Sequence, residues 1–229
     1  MAEYPYLEKC VEAAAYLNRS WQELASRKPG KRLGASDSYR VQSIGSGVIG
    51  MGQSLALTPL GTIRFPISRD LAIKIPRDKS DPMEKLRDEL PAIDEIVRRA
   101  PSLRKKVPAF VILLAVEDAD NPAALITEDA TYGGKLPIEE TAASESARKA
   151  LVRAFPNEDG EVVASDVLAN SLAFDVDGTE RWLDFTPPPI YASDPDALKI
   201  VEDEVNARRD ELTLTVPADS PLGLSLSSV

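Results

Sequence analysis

The chain has 229 residues, 43% hydrophobic and 28% charged, with a net charge of −10, one cysteine (Cys10) and no histidine. That length buries a real core in one large domain or two small lobes. The lone cysteine excludes an intrachain disulfide scaffold and a multi-cysteine zinc site. The missing histidine excludes imidazole acid/base work, histidine metal ligands and every Ser–His or Cys–His pair. Any catalysis therefore runs on carboxylates, lysine, hydroxyls or a bound metal.

The first predicted element is a helix over about residues 5–27. Leu7, Val11, Ala14, Leu17, Trp21 and Leu24 form one apolar stripe on it. Residues 28–38 read as a loop. Residues 39–44 alternate and suit a strand, and a glycine-rich stretch follows to Gly52. Further strands are predicted at 53–58 and 71–75, then a helix at 82–99 that Pro91 must kink or divide. Apolar runs at 110–116 and 124–127 complete the order βββαββ. Beyond Gly133-Gly134 the sequence predicts a helix at 138–155. Short strands follow at 161–176 and 181–185 around Asp177-Gly178, then a helix at about 195–210. Residues 212–229 show no clear period.

Charge is unevenly spread. Residues 1–150 carry 22 basic and 21 acidic side chains; residues 151–229 carry 5 and 16. A nucleic-acid binder needs the opposite sign. The acidic third serves solubility or attracts cations or a basic partner. No apolar run reaches the roughly 18 residues of a membrane span. The stretch MAEYPYLEKC lacks a basic, then apolar, leader pattern. A cytoplasmic protein is expected, and export as an effector without a Sec signal is compatible with the same residues.

Four local patterns bear on chemistry. Gly45-Ser46-Gly47-Val48-Ile49-Gly50 fits G-x-G-x-x-G. A dinucleotide-binding turn of that form opens into a helix. Here it runs into a returning strand, as a loop folded over phosphates would, and its glycines allow close backbone approach. Lys74 lies inside the apolar run 71–75, where burial requires an anion, and Glu89 on the next helix is a sensible partner. Asp166, Asn170 and Asp184 supply hard oxygen donors suited to Mg²⁺. Taken singly, each of these residues also has an ordinary reading as a turn former or a solvated strand residue.

Taken in order, residues 44–185 resemble the protein-kinase-like superfamily, and most of all the minimal, atypical effector-type kinases of bacteria. Gly45, Ser46, Gly47 and Gly50 resemble its glycine-rich loop, Lys74 its third-strand lysine and Glu89 the glutamate that holds that lysine. Residues 125–134, with Glu128 and Ala130, resemble the hinge that binds adenine. Asp166 and Asn170 resemble the catalytic-loop pair, and Asp184 in Leu183-Asp184-Phe185 the metal-binding Asp. The departures are Ala164-Ser165 before Asp166, a short Asp-to-Asn spacing, Thr186 in place of glycine, and no Ala-Pro-Glu motif.

The resemblance implies an α+β, two-lobed fold. Residues 1–38 would be an N-terminal helix and linker. Residues 39–130 would be an N-lobe with a five-stranded antiparallel sheet and one helix. Residues 131–229 would be a reduced, mostly helical C-lobe. It implies transfer of the γ-phosphate of Mg-ATP to a protein hydroxyl. Asp166 would be the base, Lys74 and Glu89 the phosphate-holding pair, and Asn170 and Asp184 the metal ligands. The alternatives are a nucleotide-binding pseudokinase that acts as a scaffold and a small-molecule phosphotransferase. The latter usually needs a larger C-lobe than the 44 residues after Phe185 allow.

Overall fold

The computed structural model describes residues 4–25, 39–46, 53–59, 71–75, 81–128, 172–174, 180–182 and 195–227, with helical positions 145, 146, 149 and 153. The chain is α+β and forms two compact units. One comprises Met1–Glu8, Arg87–Ala109 and Ala130–Ala207; the other comprises Lys9–Leu86, Phe110–Asp129 and Arg208–Val229.

The second unit holds the main sheet. Its strands are β1 (Tyr39–Ser46), β2 (Gln53–Pro59), β3 (Leu71–Ile75), β4 (Val111–Val116) and β5 (Ala124–Glu128). A further strand, β8 (Thr213–Val216), completes it, following in the chain a separate hairpin of β6 (Leu172–Phe174) and β7 (Glu180–Trp182). The lateral order is β1-β2-β3-β5-β4-β8. Pairings β1–β2, β2–β3, β3–β5 and β4–β5 are antiparallel, and β4–β8 is parallel.

The expected five-stranded antiparallel sheet is therefore corrected: the sheet is mixed, as its β5-β4-β8 portion shows directly. The expected mostly helical C-terminal lobe is corrected with it, because residues 213–216 return to the sheet. The physical reason is a short alternation. Leu212, Leu214 and Val216 are buried, while Thr213 is half-buried and Thr215 exposed. That period-two pattern suits an edge strand packed on one face.

Strand β4 is the centre of the core. Val111, Ile112, Leu113 and Leu114 are each 0% exposed. A continuous apolar run of this kind marks a strand covered on both faces. Helix α1 (Pro5–Ala25) contributes Cys10, Ala13, Ala14 and Leu17 to the second unit's buried side chains. It also meets two polar needs of the sheet. The Val111 amide donates to Cys10 Sγ at 3.3 Å. Asn18 Nδ2 donates to Thr213 O at 2.8 Å, and the Thr215 amide donates to Asn18 Oδ1 at 3.1 Å. One carboxamide thus pairs with the backbone of edge strand β8 as a neighbouring strand would, which blunts an otherwise open edge.

Helix α2 (Pro82–Arg99) starts where Asp81 caps it. Asp81 Oδ1 accepts from the Met83 amide at 2.9 Å, and Pro82 occupies the first helical position, where no amide donor is needed. Pro91 neither ends nor divides α2, which is one element through Arg99. Its neighbours Leu90, Ala92, Ile93 and Ile96 are buried, and packing on that scale offsets the missing amide. A 3₁₀ turn, Pro101–Leu103, follows.

The first unit contains most of α2, the hairpin β6 (Leu172–Phe174) and β7 (Glu180–Trp182), and α3 (Pro195–Ala207). The hairpin is paired Leu172↔Trp182 and Phe174↔Glu180; it overlaps the strands expected on either side of Asp177-Gly178, and β7 begins one residue earlier than expected, at Glu180. The turn itself lies outside the described residues. Helix α3 ends three residues earlier than expected, in a turn where the Leu212 amide donates to Arg208 O at 3.0 Å.

The last element is α4 (Pro221–Ser227), which the sequence reading left without structure. Ser220 caps it, accepting the Gly223 amide on Oγ at 3.0 Å. Gly223 is required sterically, since a Cβ there would lie 2.3 Å from Pro217 O.

Replacing Asn18 with Leu removes both hydrogen bonds to β8 and leaves its edge unsatisfied. The expected cost is about 2 kcal/mol, at roughly 1 kcal/mol per bond. A denaturant midpoint equal to that of the parent protein would show that the edge does not depend on Asn18.

Candidate functional site

The glycine segment lies between two paired strands. Residues 47–52 connect β1 to β2, and the pairing reaches Gly45↔Ser54 and Ser46↔Gln53. The register shifts between Ser43 and Gly45, a bulge where glycine tolerates backbone that other residues resist. The segment is thus flanked by strand and strand. A dinucleotide-binding turn opens a helix, so that reading does not apply here.

Lys74 sits in β3 in the same lateral row. Gly45 pairs with Ser54, Ser54 with Lys74, and Lys74 with Leu125. The row therefore runs across β1, β2, β3 and β5 and brings the start of the glycine segment within two strands of Lys74. The Lys74 side chain is outside the described residues. Its neighbour Ile73 is 0% exposed.

Glu128 ends β5 opposite Leu71 and is buried. Beside it, Thr127 Oγ1 donates to Phe110 O at 3.0 Å, which ties the end of β5 to the start of β4. That bond keeps a buried hydroxyl satisfied and fixes the strand end that carries Glu128.

Glu89 is buried on α2. Two further carboxylates on the same helix, Asp94 and Glu95, are also buried, and the sequence reading missed both. The signal was present: the pair lies between Ile93 and Ile96, inside the apolar stripe of α2. Glu95 is neutralised locally. Arg98 grips it twice, Nε to Oε2 at 2.8 Å and Nη2 to Oε1 at 2.5 Å, and Arg99 pairs with the same carboxylate.

Asp94 is different. Its Oδ1 accepts the Tyr6 amide at 2.9 Å. Burial pushes its carboxyl up to about 6, against the lowering effect of the Tyr6 and Leu7 amides; Glu95 raises it further and Arg98 lowers it. Burial also raises the Tyr4 phenol, followed by Glu204, Asp94 and Glu95, with Arg98 opposing. Arg181, in β7, is a third buried charge outside the expected set, and its Nη2 donates to Val107 O at 3.5 Å.

The described residues thus include Gly45, Ser46, Lys74, Glu89 and Glu128 of the expected set, with side-chain surroundings for Glu89 and Glu128. Gly47, Gly50, Ala130, Asp166, Asn170 and Asp184 lie outside the described residues. Among the described residues no cluster of three or more carboxylate or thiol groups is arranged to hold a metal ion, and no helix is long and apolar enough to cross a membrane. No protein-family model matches the chain, and no curated protein matches it.

Thr127→Val keeps the shape of the β5 end and deletes its hydroxyl. Phe110 O then loses its donor, and stability should fall by about 1 kcal/mol. Urea unfolding reads this directly, and an unchanged midpoint would remove the bond from the support of Glu128.

Proposed function

We propose that the chain is an ATP-dependent phosphotransferase that passes the γ-phosphate of Mg-ATP to a protein hydroxyl. The observation that carries this reading is the glycine segment flanked by paired strands β1 and β2, with Lys74 in the same lateral row on β3. Backbone amides of such a loop can approach phosphate oxygens, and a lysine two strands away supplies the cation they need. The motif order described above supports the same reading.

Phosphoryl transfer depends on positioning and charge neutralisation. Lys74 holds the α- and β-phosphates. Glu89, which resembles the glutamate that orients this lysine in the family, is buried on α2. Glu128 and Ala130 bracket the adenine. Asn170 and Asp184 are the residues that would hold Mg²⁺, whose chemistry is to offset charge on the phosphates. Asp166 positions the acceptor hydroxyl and takes its proton. None of these roles needs histidine, which the chain lacks. A binding-only reading is favoured by Ala164-Ser165 ahead of Asp166 and by Thr186 after Phe185.

Thermal unfolding with and without Mg-ATP tests the nucleotide site. At about 100 times its Kd the nucleotide adds roughly 2.7 kcal/mol. Lys74→Ala should abolish that gain, and Asp184→Asn should abolish its metal-dependent part. A flat response in the parent protein would overturn the proposal.

Phosphate transfer from radiolabelled ATP into protein substrates separates enzyme from scaffold. Asp166→Ala should still bind Mg-ATP and lose about 10²–10⁴ in transfer rate. A parent protein that binds Mg-ATP and labels neither protein nor metabolite would establish the scaffold reading instead.

A further inference from the structure

Helix α1 begins against a carboxylate supplied from far along the chain. Pro5 is its first helical residue, so the Tyr6 and Leu7 amides belong to the first turn, where donors lack intrahelical acceptors. Asp94, in α2, accepts from the Tyr6 amide, and the Leu7 amide lowers its carboxyl as well. Asp94 is only 3% exposed, and among the described residues its Oδ2 has no hydrogen-bond partner. Half of this carboxylate is therefore well used, and half is buried without a partner among the described residues.

The charged groups around it do not cure that. Glu95 and Arg98 face it from α2, Tyr4 stands just before α1, and Glu204 joins the group from α3. Arg98 is already engaged twice by Glu95, and Arg99 pairs with Glu95 as well. Two further carboxylates thus share the neighbourhood with guanidinium groups committed to one of them. Ionising Asp94 there buries an unpaired negative oxygen. Keeping it neutral avoids most of that cost, while Oδ1 goes on accepting from the Tyr6 amide.

We propose that the first turn of α1 is a proton-governed latch on α2, docked while Asp94 is neutral and loosened when Asp94 ionises. The direction follows from linkage. Asp94 holds its proton up to about pH 6 when docked, against about 3.8 when free. Between those values the docked state binds more protons, so docking weakens as pH rises and levels off above about 6. This is the reverse of an ordinary salt-bridged Asp. The Tyr4 phenol, raised in the same way, acts only in the alkaline range.

Amide hydrogen exchange of Tyr6 and Leu7 reads the latch, after correction for the intrinsic pH dependence of exchange. Protection should fall roughly tenfold between about pH 5 and pH 7.5 in the parent protein. Asp94→Asn keeps an oxygen acceptor and cannot ionise, so its protection should stay level over the same range. The same fall in Asp94→Asn as in the parent would overturn the proposal. Carboxyl carbon chemical shifts of Asp94 in the parent protein provide a test that needs no variant. A midpoint near 6 supports the latch, and one in the ordinary range near 4 overturns it.

Discussion

The full burial of Val111–Leu114 in β4 is the constraint on which the sheet depends. Four consecutive residues, Val111 to Leu114, have no exposure, so both faces and both edges must be covered. Strand β5 covers one edge and β8 the other. Cys10 receives the Val111 amide at the strand's start, and Thr127 supplies a hydroxyl to Phe110 O just before it. Adding β8 moves the exposed edge outward by one strand, and Asn18 meets the backbone there with both ends of its amide. The apolar demand of one strand is thus resolved by a sequence of polar contacts at its borders.

Helix α2 shows a second way to place charge in an interior. It carries three buried carboxylates, and two of them are handled by different devices. Glu95 is matched by guanidinium groups one turn further along, and Asp94 is matched by the amide end of another helix. Both devices act within the first unit. A helix that already bears two such groups needs a firm start, which Asp81 and Pro82 supply.

The strands up to Glu128 and the three long helices were legible from local pattern, a clear period in some and a short apolar run in others. The apolar stripe of α1 and the alternation at 39–44 are of this kind. The parallel partner of β4 was not legible. Leu212-Thr213-Leu214-Thr215-Val216 alternates, but the run is short and no turn links it to its partner, Leu113 pairing with Thr213. Local pattern cannot report a pairing made at that distance. That α2 continues past Pro91 as one element was not legible, because its neighbours' burial decides the outcome and burial is tertiary. Of the candidate site, the hairpin around the glycines follows from local alternation. The buried state of Asp94 and Glu95 had a signal in their place between Ile93 and Ile96, but charge type points the other way, to a solvated face.

The parallel pairing also orders events during synthesis. Asn18 and Cys10 leave the ribosome early, and β4 follows. The strand that closes the edge of β4 comes about a hundred residues later, as the Leu113↔Thr213 pairing requires. At the pace of translation that is an interval of several seconds, on the order of 5–20 s. Throughout it, β4 has a free edge of apolar residues, the kind of surface that recruits other strands. A nascent chain of this protein is therefore most exposed to mispairing, and most in need of a chaperone, in the interval between making β4 and making β8.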